Sequence, residues 1–267
     1  MILEFQNKAI EQLKLASKLK NQSIIITGCE GSGKTFLAKM YANLIECENF
    51  ITLKSSINDI REAIDQVFDI KDDVVICFEN LDQAMLSSSY ALLKFLEEPK
   101  SNVYVIITCR NLHHLPDTIL SRSNVIEIGR PTKDDVEIYA RNIDSTKYNL
   151  LHSRPIWKGA TSLSYVKKIL EMTEDEIQHY EGCEKLLKSN KPISTILWEL
   201  SHFKHNNQLC DTAFAVNYLI QTTNDTRIKM YAINYIDNLQ KLNIASHIIL
   251  ANFILHCKYT HSNQIVI

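Results

Sequence analysis

The chain has 267 residues, 45% of them hydrophobic and 22% charged, with a formal net charge of −2. That length gives room for one large domain or about two to three small ones, and the composition excludes a disordered or fibrous chain. The near-neutral balance also excludes a strong global field toward nucleic acid, so any such contact must be local or shared with other subunits.

The first apolar run is Ser23-Ile24-Ile25-Ile26-Thr27, whose β-branched residues predict a strand over 23–27. It runs directly into Gly28-Cys29-Glu30-Gly31-Ser32-Gly33-Lys34-Thr35, which has the full GxxxxGK[ST] spacing, and then into an amphipathic stretch over 36–44. Strand, loop and helix in that order are the context a phosphate loop requires. Gly28, Gly31 and Gly33 let the backbone fold around phosphate oxygens, and N–H groups at Ser32 and its neighbours point inward. Lys34 would reach the β- and γ-phosphates, and the Thr35 hydroxyl would ligate Mg2+. Nucleotide binding, with ATP and Mg2+ as cofactors, is the expectation.

Further strands are predicted over 50–53, 74–78, 103–108 and 125–128, with helices over 57–67 and 88–98. Apolar runs without alternation, separated by helices, indicate a parallel sheet covered on both faces and joined by right-handed crossovers. The strand over 74–78 leads into Glu79-Asn80, where ATP-driven motors place Asp-Glu. After Arg130-Pro131 only helical patterns follow, over 133–142, 163–172, 193–202, 212–221 and two long stretches from Thr226 onward; the tail QIVI has no assignment. Thr173-Glu174-Asp175-Glu176 is a capping-box pattern and a natural start for a new unit. The resulting division is 1–130, 131–172 and 173–267.

Seven cysteines are scattered singly, and an odd count without close pairs argues against a disulfide framework and for a reducing compartment. The opening MILEFQNKAIEQ has no cationic region before an apolar run, so no signal peptide is expected, and no stretch has the apolar length to cross a bilayer. A cytoplasmic protein without a membrane partner is the expectation. His202, His205 and Cys210 lie close in sequence, but their spacing matches no tight zinc pattern. N-capping alone explains Ser87, Ser88 and Ser89, and a phosphate contact is the lesser reading of them.

Three blocks occur in the order INDIREAIDQVF, VVICFENLDQAMLSSSYALLKFLEEP and VIITCRNLHHLPDTILSRS. Together they resemble the AAA+ subunits of DNA sliding-clamp loaders, most like the delta-prime subunits of bacterial DNA polymerase III or phage-encoded relatives. The likeness is detailed from about residue 20 to 130 and is one of layout beyond. It implies an α/β P-loop AAA+ core with a parallel sheet, a small helical lid over 131–172 and an all-α collar domain over 173–267 through which a hetero-pentamer joins. The implied partners are other clamp-loader subunits, the sliding clamp, and primed DNA through the assembled complex. Many relatives carry a four-cysteine zinc module; here Cys47 stands alone and no CxxC spacing exists.

The same resemblance implies roles for single residues. Thr108 falls at the first sensor of the γ-phosphate. Ser121-Arg122-Ser123 matches the family's SRC motif, whose arginine reaches a neighbouring subunit's ATP in trans. An ungapped count puts Glu79 at the magnesium aspartate and Asn80 at the catalytic glutamate; a one-residue shift instead puts Phe78 at the metal position and makes Glu79 the base. Either way one carboxylate role is missing, and losing a general base typically costs ~10²–10⁴ in rate. Ser164 stands near the place of the second-sensor arginine, which is absent. ATP binding with slow unaided hydrolysis is therefore expected. An independent AAA+ ATPase such as a helicase loader, or a stand-alone P-loop kinase, are the alternative functions.

Overall fold

The isoleucine run forms strand β1 (Ser23–Thr27), with Ile24, Ile25 and Ile26 fully buried, in a computed structural model of the chain. The structure describes residues 2–54, 60, 71–84, 90, 92–93, 96–97, 100–189, 195, 212–222, 253–254 and 257. Helices read over 57–67, 88–98 and 193–202 lie largely outside these residues, and so do the serines at 87–89, His202, His205, Cys210 and the tail.

The chain divides into two compact units, Met1–Asp135 with Ser162–Ser164, and Val136–Thr161 with Tyr165–Ile267. In the first, α1 (Asn7–Lys18) precedes β1, and α2 (Lys34–Leu44) follows it. Then come β2 (Asn49–Lys54), β3 (Val74–Glu79), β4 (Val103–Cys109), the short α3 (Asp117–Leu120) and β5 (Asn124–Glu127). All neighbouring strands pair parallel in the order β2-β3-β4-β1-β5. The bounds match the sequence reading to within a residue or two, and α1 is an addition to it.

Side chains alternate between two buried layers, as period-two geometry requires. Ile24, Ile26, Val75, Cys77, Tyr104 and Ile106 face one layer, where α1 contributes Ile10 and Leu13 and α2 contributes Leu37 and Tyr41. Ile25, Ile76, Phe78, Val105 and Ile107 face the other, where Ile60, Leu92, Leu96 and Ile119 cover them. Both faces of the central strands are dry, which is why those strands read as unbroken apolar runs.

The second unit is helical among its described residues: α4 (Lys133–Ile143, whose first residues belong to the first unit), α5 (Ser145–Leu151), α6 (Leu163–Glu171), α7 (Glu174–Lys188) and α8 (Thr212–Thr222). Thr173 caps α7 in a capping box, its side chain accepting from the Glu176 N–H while Glu176 accepts from the Thr173 N–H. Buried residues from α4 through Cys257 form a single cluster that includes Tyr148, Ile169, Tyr180, Phe214 and Tyr218. Position 172 falls inside that cluster. Among the described residues no helix is long and apolar enough to cross a membrane.

Candidate nucleotide site

The C-terminal ends of β1, β4 and β3 lie side by side, β4 in the middle. Loops at that edge of an open parallel sheet are where ligands gather. The residues singled out in the first unit, Arg122 apart, converge there.

The loop between β1 and α2 turns on two glycines with positive φ, Gly31 at +70° and Gly33 at +95°, a region that side chains enter only with strain. A Cβ on Gly33 would come within 2.6 Å of Gln6 Nε2. Gln6 is buried, and its Nε2 donates to the Ser32 carbonyl at 2.9 Å while its Oε1 accepts from the Leu3 N–H at 3.2 Å. A side chain from the start of the chain thus props the phosphate loop. A Cβ on Gly31 would meet Ser164 Oγ at 2.4 Å, and Ser164 pairs with Ser162 at 3.1 Å.

Lys34 is the first residue of α2, and its ammonium folds back to donate to the Gly28 and Cys29 carbonyls, each at 2.8 Å. Burial pushes its pKa below the ordinary lysine range, and the nearby charge of Arg110 adds to that. Ser32 is fully buried, and its hydroxyl has no hydrogen-bond partner among the described residues. Thr35 Oγ1 donates to Glu79 Oε1 at 2.8 Å. A hydroxyl and a carboxylate this close are hard oxygen donors of the kind magnesium takes beside water and phosphate oxygens. The residue set fits the ion.

Beyond β3 the chain turns at Asn80, in the left-handed region at φ 52° and ψ 49°. Asparagine is among the few non-glycine residues that enter this region readily. The Asn80 N–H donates to Thr108 Oγ1 at 3.0 Å, fastening the exit of β3 to β4. Phe78 is fully buried in the sheet core.

Three residues that spacing did not point to complete the cluster. Asp82 Oδ2 accepts the N–H groups of Arg110 and Asn111 at 3.0 and 3.2 Å, fixing the chain as it leaves β4. Arg110 then reaches the tip of the phosphate loop, its guanidinium 3.1 Å from Glu30 Oε2. Partners so far apart in sequence leave no local signal; only the order of the strands brings them together.

Arg122 lies elsewhere on the same unit. Its guanidinium pairs with Glu97 at 3.0 Å and donates to the Thr118 carbonyl at 2.9 Å, and 38% of its side chain is exposed. Ser123 Oγ and Ser23 Oγ are 2.7 Å apart, tying this turn to the start of β1.

A five-stranded parallel sheet with a phosphate loop between β1 and α2, followed by helices, is the architecture of the AAA+ class of P-loop proteins. The solved structure of a DNA polymerase III gamma subunit-related protein from Thermotoga maritima shares this fold with a TM-score of 0.58. It is 16% identical, and the match covers 95% of this chain and 99% of that one. The family model described as DNA polymerase III, delta subunit, matches residues 52–132. DNA polymerase III subunit tau of Bacillus subtilis is 27% identical over 253 residues, covering 80% of this chain and 44% of the relative. The sliding-clamp-loader large subunit of Escherichia phage RB69 is 34% identical over 129 residues, covering 45% of this chain and 40% of the relative. The chain is a relative of the clamp-loader AAA+ subunits of DNA polymerase III and of phage. It spans less than half the length of these two curated relatives.

Proposed function

We propose that this chain is a subunit of a DNA sliding-clamp loader that binds ATP with Mg2+ at its phosphate loop and lends Arg122 to a neighbouring subunit's ATP. One observation carries the nucleotide reading: Gly28 to Thr35 are complete, and Thr35 meets Glu79 at 2.8 Å across the loop. That contact supports the ungapped register, since Phe78, the metal position of the shifted register, is buried in the core and offers no oxygen.

In this reading the loop N–H groups and Lys34 hold the phosphates, while Thr35 and Glu79 hold the metal. Magnesium, when bound, neutralises phosphate charge. Lys34 must leave the Gly28 and Cys29 carbonyls to do its part. Thr108 keeps one hydroxyl lone pair on Asn80 and still has its proton to donate toward a phosphate. Asn80 can orient a water but cannot accept its proton, so hydrolysis without help is slow. The segment over 131–172 acts as lid and that over 173–267 as collar, in a cytoplasmic hetero-pentamer that meets the clamp and, once assembled, primed DNA.

Titration with a fluorescent ATP analogue, with and without Mg2+, tests the site. Lys34→Ala should remove most of the affinity, because it deletes the cation that caps the loop. Equal affinity in wild type and mutant would make the loop vestigial. Native mass measurement with candidate partners tests the assembly: a hetero-oligomer supports it, whereas a nucleotide-dependent homo-ring or a monomeric phosphotransferase would replace it with another machine.

A further inference from the structure

We propose that Arg110 is a second phosphate-binding cation of this site, acting in cis, and that Glu30 is the counter-ion it gives up when a nucleotide's phosphates enter. The inference rests on the nucleotide reading above and adds to it a residue and a switch.

Four observations lead there. Arg110 follows β4 directly, at the sheet edge where the loop from β1 turns. Its backbone N–H and that of Asn111 are both held by Asp82 Oδ2, so the base of the side chain is fixed. The tip pairs with Glu30 at 3.1 Å, and Glu30 lies within the phosphate loop, between Cys29 and Gly31. Finally, Nε of Arg110 is buried and has no hydrogen-bond partner among the described residues, although a guanidinium in a satisfied structural clip would use it.

The electrostatics favour an exchange. Arg110 stands near enough to Lys34 to help lower its pKa, so two cations share one small region. Two like charges that close repel each other until an anion lies between them. The pair with Glu30 is half in solvent, with 32% of the Arg110 side chain and 50% of the Glu30 side chain exposed. Ion pairs of that kind are weak. A triphosphate carries several negative charges and presents oxygens to the planar fork of a guanidinium, which binds such groups in two places at once. It should outcompete one exposed carboxylate. Glu30 then keeps Arg110 close to the loop without blocking it, and makes its recruitment depend on the ligand's charge.

A purely structural clip predicts something different. If the ion pair only stiffened the loop, removing either partner would weaken nucleotide binding in the same direction. In the exchange, the two substitutions act in opposite directions. Arg110→Ala should weaken binding of a fluorescent ATP analogue by roughly 10- to 100-fold, as expected for a lost charged hydrogen bond. Glu30→Gln should tighten it by about two- to five-fold, because the competitor is gone. The gain from Glu30→Gln should shrink in the Arg110→Ala background, since there is no guanidinium left to release.

The experiment is equilibrium titration of wild type, Lys34→Ala, Arg110→Ala, Arg110→Lys, Glu30→Gln and the double variant, with thermal melts run beside it. Glu30 is exposed enough that Glu30→Gln should fold even if Arg110→Ala does not, and Arg110→Lys should keep part of the affinity through its charge. Opposite signs for the two sites, with unchanged melts, support the exchange. Weakening by both variants, or no effect from either while Lys34→Ala abolishes binding, overturns the role of Arg110 and leaves the nucleotide site standing. A wild-type chain that binds no nucleotide overturns both.

Discussion

In the proposed register Glu79 and Asn80 stand where a motor carries two acids, and the backbone gives a reason for the amide. Asn80 occupies the left-handed region, at φ 52°, and its N–H is spent on Thr108. Residues other than glycine, asparagine and aspartate are costly there, by about 1–2 kcal/mol. Asn80→Glu should therefore lower stability by about that amount, measured by chemical denaturation. Glu79→Asp combined with Asn80→Glu should raise ATP turnover in the isolated chain, because it supplies a base and shortens the metal ligand. A wild-type chain that already turns over ATP at ordinary motor rates would defeat this account and favour Glu79 as the base.

At the scale of elements, the helical unit shows how a buried charge is made tolerable. Glu184 on α7 is almost fully buried, accepts a hydrogen bond from the Tyr218 hydroxyl on α8, and accepts another from Lys188 at 2.5 Å. Burial alone would raise its pKa, but the bonds from Lys188 and Tyr218 outweigh it and hold the carboxyl below its ordinary range. A depressed carboxyl pKa adds stability above the unfolded value, about 4.3, and that stability is lost as pH falls through the folded value. Tyr218→Phe should cost about 1.5–3 kcal/mol at pH 7, and the difference from wild type should shrink once both are acidified past Glu184 titration. Denaturation curves at pH 7 and at acid pH measure both.

The same pair marks the limit of what the sequence could tell. Thr173 and Glu176 were legible because a capping box is written within four residues, and the strands were legible because isoleucine and valine runs report burial on both faces. The phosphate loop was legible for the same local reason. Tyr218 and Glu184, Gln6 and Ser32, and Arg110 and Glu30 meet only after the chain has crossed over itself. Helix α1 carries a local signal too, since Ala9, Ile10, Leu13 and Ala16 make a buried stripe at helical spacing.

At the scale of the whole molecule the most telling residue is the one that takes no part in its own site. Arg122 is exposed, and its present partners are Glu97 and the Thr118 carbonyl rather than any group of the phosphate loop. An exposed ion pair is worth little, so the guanidinium can be drawn away at small cost by a better anion. A neighbour's triphosphate is such an anion, and a guanidinium supplied in trans can be worth ~10³–10⁵ in rate. Arg122→Ala should then leave this chain's own ATP affinity nearly unchanged while slowing hydrolysis in the adjoining subunit, because what is lost is an interaction with the transition state. Arg122 lies outside the proposed collar, 173–267, so assembly should persist. Reconstitution of the loader with wild-type or mutant chain, followed by clamp- and DNA-stimulated ATPase at saturating ATP, decides it. A mutant complex that assembles and turns over like wild type would make Arg122 an ordinary surface residue, and the trans role would have to be sought on a different side chain.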